Sequence, residues 1–153
     1  MLELYTTTIN STITLKWFVP NLNIQAASSR LRCFHFARVL EENFKIKSYF
    51  YDERIKIEKA LNTGDILIFV KNIPPKNNPL VFKAFALKIP VLLDICDNFT
   101  DPNHKDNFDG LMSNNLLSLY KYITHIIVSS PTIKENIDSF LKLHDAFIKT
   151  FHI

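Results

Sequence analysis

Glycine is scarce in this chain of 153 residues, which contains only Gly64 and Gly110. Two glycines so far apart exclude the GxGxxG loop of dinucleotide-binding proteins and the Walker loop of nucleoside triphosphatases, because both loops need closely spaced glycines. The sequence therefore lacks the two commonest nucleotide-binding signatures. We expect the chain to hold no cofactor.

Cysteine and excess charge are also low. Cys33 and Cys96 show no metal-ligand or paired spacing, and the first residues form neither the basic segment nor the apolar run of a signal peptide. The net charge of +3 is not concentrated in a basic stripe, and the mean hydropathy of +0.03 is too low for a membrane-spanning chain. These absences predict a reduced, cytoplasmic protein with no transmembrane segment and no nucleic-acid partner.

Short apolar runs alternate with segments of helical periodicity along most of the chain. The runs predict strands over residues 12–19, 46–51, 65–70, 90–96 and 125–128, and the periodic segments predict helices over 28–43, 52–62, 80–88, 111–123 and 131–144. Residues 146–153 fit either a sixth strand or a tail. Residues 1–11 have no clear period, so we expect a loose lead-in followed by one domain over 12–153.

This alternation predicts an α/β fold: a doubly wound, mostly parallel sheet of five or six strands with helices on both faces, similar to a Rossmann domain. Such sheets bind ligands outside the carboxyl ends of their strands. Candidate site residues therefore lie in the loops after Val19, Val70, Cys96 and Val128.

The loop after the first strand contains small residues and two arginines. Ser28 and Ser29 precede a predicted helix, whose N-terminal N–H groups attract anions, and Arg30 and Arg32 can grip a phosphate or a carboxylate. The alternative is that a serine only caps the helix and that the arginines are solvated.

Lys71 and a group of aspartates follow the third and fourth predicted strands. Lys71 either lines the same cleft or is an ordinary surface lysine. Asp94 lies within an apolar run, so its carboxylate must be paired, hydrogen-bonded or shifted in pKa, either for catalysis or to hold a neighbouring loop. Asp97 opens a polar segment whose spacing matches neither a calcium loop nor a zinc signature, so no metal is expected.

Three stretches share a pattern with one enzyme family. They are W-F-V-P (17–20) with A-S-S-R-L-R (27–32), D-I-L-I-F-V-K (65–71) with P-V-L-L-D-I-C-D-N (90–98), and I-I-V-S-S-P-T (126–132). Over residues 12–140 the chain resembles the N-terminal half of the GT-B glycosyltransferases, enzymes that are built from two facing Rossmann-like domains.

The resemblance implies an acceptor-side domain, because in this family the N-terminal half mainly receives the acceptor. It implies that a sugar acceptor, a small molecule or a glycan, contacts Ser28, Ser29, Arg30, Arg32, Lys71 and Asn98, with Asp94 and Asp97 as candidate catalytic residues. The C-terminal donor domain is expected to be absent from this chain. A second chain or domain would supply the nucleotide-sugar site, and this chain alone would be inactive. The alternative is a non-catalytic Rossmann-like binding or protein-interaction module.

Overall fold

The structure, a computed structural model, describes residues 13–20, 22, 33–52, 61–101, 103 and 110–152. Within these ranges the strands are β1 (Thr14–Val19), β2 (Lys47–Asp52), β3 (Asp65–Val70), β4 (Val91–Ile95), β5 (His125–Val128) and β6 (Lys149–His152). The helices are α1 (His35–Phe44), α2 (Pro79–Ala86), α3 (Leu111–Leu119) and α4 (Pro131–Leu143). A 3₁₀ turn, Tyr120–Tyr122, follows α3.

The six strands form one sheet in the order β2-β1-β3-β4-β5-β6, and each neighbouring pair is parallel. The strand order changes direction between β1 and β3, which is where a doubly wound sheet opens a crevice at its carboxyl edge. The predicted α/β fold is confirmed. The last residues, for which strand and tail were both open, contribute the sixth strand.

Helices cover both faces of the sheet. The larger apolar cluster lies between one face and the helices α2, α3 and α4, and it includes Phe18, Leu67, Leu93, Ile126, Leu116 and Ile137. The smaller cluster lies on the face toward α1 and includes Leu15, Trp17, Val19, Cys33, Ile68 and Val70. Successive residues of β3 alternate between the two clusters, which is why its sequence is apolar throughout.

Capping residues fix where two of the helices begin. The side chain of Asn78 accepts hydrogen bonds from the backbone N–H groups of Leu80 and Val81, and Pro79 follows it as the first helical residue. Ser130 caps α4 in the same way, again with a proline next. Both caps satisfy N–H groups that have no partner within the helix.

Two predicted helices differ from the structure. The helix predicted to reach Ile123 ends at Leu119, because Thr124 already pairs with β4: its N–H donates to the Val91 carbonyl at 2.8 Å and its hydroxyl accepts from the Val91 N–H at 3.0 Å. Asp52, expected to open a helix, is the last residue of β2. The rest of that predicted helix over 53–60, the lead-in over 1–11 and residues 28–32 lie outside the described residues.

Candidate functional site at the carboxyl edge of the sheet

The carboxyl ends of β3 and β4 lie side by side next to the point where the strand order reverses. Val70 pairs with Asp94 in the parallel register, and the N–H of Lys71 donates to the Asp94 carbonyl at 2.8 Å. The sheet thus places Lys71 beside the residues that follow β4. Pairing of two strands, which no local sequence pattern specifies, creates this neighbourhood.

Lys71 and Asp97 form an exposed charged pair at this edge. The Nζ of Lys71 lies 3.7 Å from the Oδ2 of Asp97, and the two side chains are 33% and 35% exposed. The thiol of Cys96 donates to the same carboxylate oxygen at 3.2 Å. The Asp97 carboxylate is therefore oriented by a thiol and a cation and remains accessible to a ligand.

The backbone of Lys71 has a left-handed conformation, with φ of 58°. The other described non-glycine residues with positive φ are Lys45, Lys88 and Asp145, and each follows the end of a helix, where this conformation is common. Lys71 follows a strand instead. For a residue with a Cβ the conformation costs about 1–2 kcal/mol, so the surrounding structure must hold Lys71 in place.

Two buried carboxylates flank the crevice on the face toward α1. Val19 pairs with Asp52 on one side, and Val70 pairs with Asp94 on the other. Asp52 is 8% exposed and Asp94 6% exposed. Since Phe18 pairs with Phe69, Val19 and Val70 are the next neighbours, and the two aspartates stand three strand spacings apart, about 14 Å.

The segment after β4 is tied to the domain by its own hydrogen bonds. The carboxamide oxygen of Asn98 accepts from the Thr100 hydroxyl at 2.7 Å, and the hydroxyl of Ser113 on α3 donates to the carbonyl of the buried Phe99 at 2.9 Å. The Asn98 oxygen is thus engaged within the loop. Asn98 shapes the edge beside Asp97 through this turn.

A second charged pair lies inside the sheet, away from the carboxyl edge. The Nζ of Lys16 lies 2.7 Å from the Oδ2 of Asp65, and both side chains are 5% exposed. The same oxygen accepts from the N–H of Asn62 at 2.6 Å. Nearby on β2, burial raises the pKa of Tyr51 above its ordinary value, and the charges of Asp65 and Tyr49 raise it further.

The structure brings together only part of the predicted site. Lys71 and Asp97 meet through their side chains, and Asp94 contacts Lys71 through its carbonyl. Ser28, Ser29, Arg30 and Arg32 lie outside the described residues. Asp52 and Cys96 also lie at this edge, and neither was predicted to belong to the site. Because Cys96 directly precedes Asp97 in the sequence, its thiol could have been predicted to lie at the site. No local sequence pattern indicated that Asp52 ends a strand.

Among the described residues, no three His, Cys, Asp or Glu side chains gather closely enough to hold a metal ion. No helix in these ranges combines the length and apolar character needed to cross a membrane.

The fold and this edge define the chain as a Rossmann-like α/β domain with a candidate ligand site at the carboxyl ends of β3 and β4. Comparison with protein-family models, with curated proteins and with solved structures gives no significant match. The resemblance to GT-B glycosyltransferases therefore rests on the residues quoted for it above.

Proposed function

We propose that this chain is the acceptor-side half of a glycosyltransferase-like protein and binds a sugar acceptor, a small molecule or a glycan, beside Lys71 and Asp97. One observation carries the proposal: the ammonium and the carboxylate lie 3.7 Å apart and one third exposed, at the edge where parallel sheets bind ligands. The sequence resemblance supports the choice of ligand class.

The two groups have complementary hydrogen-bonding roles. An ammonium only donates and an ionised carboxylate only accepts, whereas a sugar hydroxyl does both. Neighbouring hydroxyls of one sugar ring can therefore engage Lys71 and Asp97 together. Such binding sacrifices little interaction between Lys71 and Asp97 themselves, because their separation of 3.7 Å exceeds the distance of a good hydrogen bond, about 2.7–3.2 Å.

In the family that the sequence resembles, the N-terminal half mainly receives the acceptor, so we assign the acceptor, and not the nucleotide diphosphate, to the edge that carries Lys71 and Asp97. Sugar transfer requires cations or dipoles that stabilise the departing nucleotide. In the proposed assembly these come from a second domain or chain, and this chain by itself does not transfer sugar.

Asp97 and Asp94 take different roles in this proposal. Asp97 has the exposure that contact with an acceptor hydroxyl requires, so it is the candidate general base. Asp94 is 6% exposed, and its carbonyl fixes the backbone of Lys71. We therefore assign Asp94 to positioning.

Thermal-shift measurements on the purified chain test the proposal. The panel contains glycan and phosphorylated sugar acceptors, free nucleotides and nucleotide sugars, because a ligand that binds only the native state raises its stability by mass action. Acceptors, and not nucleotides, are expected to raise the melting temperature. Lys71→Met and Asp97→Asn should each abolish most of that shift.

Lys47→Met is the matched control. Lys47 is an exposed lysine at the amino end of β2, the opposite end of the sheet from Lys71, so its loss changes the net charge equally without touching the site. A rise in melting temperature with nucleotide sugars would refute the proposal that this chain binds the acceptor and a second domain or chain binds the donor. No shift with any ligand would favour the interaction module, and turnover by the pure chain would refute its inactivity.

A further inference from the structure

Three segments of the chain meet at the amino ends of β4, β5 and β6. The register sets Leu92, His125 and Lys149 level with one another, so the residues that lead into these strands lie at the same end of the sheet. They are the end of α2 with residues 87–90, the 3₁₀ turn with residues 123–124, and the end of α4 with residues 144–148. Neighbouring strands are about 4.8 Å apart, so the three strands span only about 10 Å.

Four large apolar side chains are exposed on these segments. Phe147 and Leu143 are the two most exposed large hydrophobic side chains in the described part of the chain, at 83% and 78%, and Phe85 and Leu87 are exposed beside them in the fold. The ring of Phe85 lies edge-on to that of Tyr122, 5.1 Å between centres, which joins α2 to the 3₁₀ turn. We call Phe85, Leu87, Leu143 and Phe147 the amino-end patch. Apolar groups gathered in this way mark an interaction surface.

The same segments are basic. Residues 83–90, 120–125 and 141–149 contain five lysines, all of them exposed, and one acid: Lys83, Lys88, Lys121, Lys142, Lys149 and Asp145. This excess is larger than the net charge of +3 of the whole chain. The three segments are far apart in the sequence, so the lysines form no basic run there and are collected by the fold.

A concavity beside Phe147 combines apolar walls with two of these lysines. It has a volume of about 430 Å³ and the following lining: Asp138, Leu141, Lys142, Ala146, Phe147, Ile148 and Lys149. Asp138 is already ion-paired with Lys134 on α4. The concavity therefore offers apolar contact and ammonium groups together, which suits a lipid with its acyl chains and its phosphate.

We propose that the amino-end patch docks this chain on the surface of an anionic lipid bilayer, with the four apolar side chains inserted and the five lysines against the head groups. The inference does not depend on which ligand occupies the Lys71–Asp97 site. A few apolar groups or a few lysines alone bind a membrane weakly, and the two together give stable attachment.

The composition of this surface favours a bilayer over an acidic protein. Protein interfaces are enriched in arginine and depleted in lysine, whereas every cation on these segments is a lysine. The long stem of a lysine can lie along apolar surface while its ammonium group stays at the level of the head groups. Side chains as exposed as Phe147 and Leu143 can enter a fluid bilayer without a preformed pocket to receive them.

Docking in this way leaves the ligand site accessible. The Lys71–Asp97 pair lies at the carboxyl end of the sheet, and the five residues of β4 separate the two ends by about 16 Å. The bound chain therefore turns its candidate site away from the lipid surface and toward solvent.

Co-sedimentation of the full chain with vesicles tests the inference. One set of vesicles contains phosphatidylcholine alone, and the other contains phosphatidylcholine mixed with phosphatidylserine. The chain is expected to sediment with the mixed vesicles, less so as salt is added, and far less with phosphatidylcholine alone. Leu143→Ser combined with Phe147→Ser keeps the net charge and should weaken binding by about tenfold or more.

Matched controls separate the patch from the rest of the surface. Leu111→Ser changes an exposed leucine at the start of α3, at the carboxyl end of the sheet, and should leave vesicle binding unchanged. Lys142→Gln should weaken binding by about fivefold. Lys76→Gln, which removes an exposed lysine just before α2 at the carboxyl end, should have a smaller effect.

Three results would overturn the inference. The first is no binding to vesicles that contain phosphatidylserine. The second is binding that the double serine variant weakens no more than Leu111→Ser does. The third is capture by immobilised polyglutamate without binding to vesicles, which would assign the lysines to an acidic protein partner instead.

Discussion

The ammonium group of Lys71 lies 3.7 Å from the Oδ2 of Asp97, and the backbone that carries it is left-handed, with φ of 58°. An ion pair exposed by one third contributes about 0–1 kcal/mol, which does not exceed the cost of the backbone conformation. The arrangement therefore gives the fold little net stability. Its effect is to hold a cation and a carboxylate at the edge of the sheet where parallel α/β folds in general bind ligands.

Replacing Lys71 with alanine and with glycine separates the strain from the ion pair. Both substitutions remove the pair, but only glycine accepts the left-handed backbone without strain, so Lys71→Gly should be more stable than Lys71→Ala by about 1 kcal/mol. Glu135 is the control, because it is a solvent-exposed residue in the middle of α4. There Glu135→Ala should be more stable than Glu135→Gly by about 1 kcal/mol. Urea unfolding measures both differences. If alanine is the more stable substitution at position 71 as well as at position 135, the backbone of Lys71 is not strained.

The buried pair of Lys16 and Asp65 should matter far more to stability. The two side chains are 5% exposed, so Lys16→Met leaves the Asp65 carboxylate buried without its cation. We expect Lys16→Met to lower the free energy of unfolding by about 3–5 kcal/mol, measured by urea denaturation.

A double variant provides the control for this pair. In Lys16→Met with Asp65→Asn, the buried charge is gone, and the new amide oxygen can still accept from the N–H of Asn62. Most of the lost stability should return. A double variant as unstable as the sum of its single substitutions would show that the charges do not interact as their 2.7 Å separation indicates.

The strands were predictable from the sequence where their pattern is strong. β3 and β5 have the predicted bounds, because apolar runs closed by turn residues are distinctive. β6 was left open, because Lys-Thr-Phe-His at an exposed edge lacks an apolar run. Its assignment depends on pairing with β5.

The candidate site was predictable only as a set of loops. The order of the runs placed Lys71 and Asp97 after successive predicted strands. Their contact depends on the pairing and register of β3 with β4, which the order of the runs does not give. The pair of Lys16 and Asp65 was missed for the same reason: its members are 49 positions apart and meet across two strands. Interactions across strands leave no local pattern in a single sequence.

The cap of α2 should contribute measurably to stability. Asn78 accepts from the N–H groups of Leu80 and Val81, and α2 buries Leu80, Val81 and Ala84 in the main core. Asn78→Ala should cost about 1 kcal/mol, whereas Asn78→Asp keeps an acceptor and should cost less. Asn77→Ala, at the exposed neighbouring position, should change stability by less than about 0.5 kcal/mol. Equal effects of Asn77→Ala and Asn78→Ala on thermal unfolding would refute the cap.

Tyr51 should make stability depend on pH in the alkaline range. Burial first, and the charges of Asp65 and Tyr49 next, raise the pKa of Tyr51 in the folded protein. A raised folded pKa gives stability that is full below the unfolded pKa, about 10, and is lost as pH rises through the folded pKa. Tyr51→Phe keeps the ring that stacks on Phe18 but does not ionise.

The variant isolates the effect of Tyr51, because every other titratable group is the same in both proteins. Urea unfolding from about pH 8 to about pH 11 should show the two proteins changing in parallel up to the ordinary tyrosine pKa. Above that pH the original chain should lose stability faster than Tyr51→Phe. Parallel curves throughout would mean that the phenol ionises equally in the folded and unfolded chains, and that Asp65 and burial leave its proton unaffected.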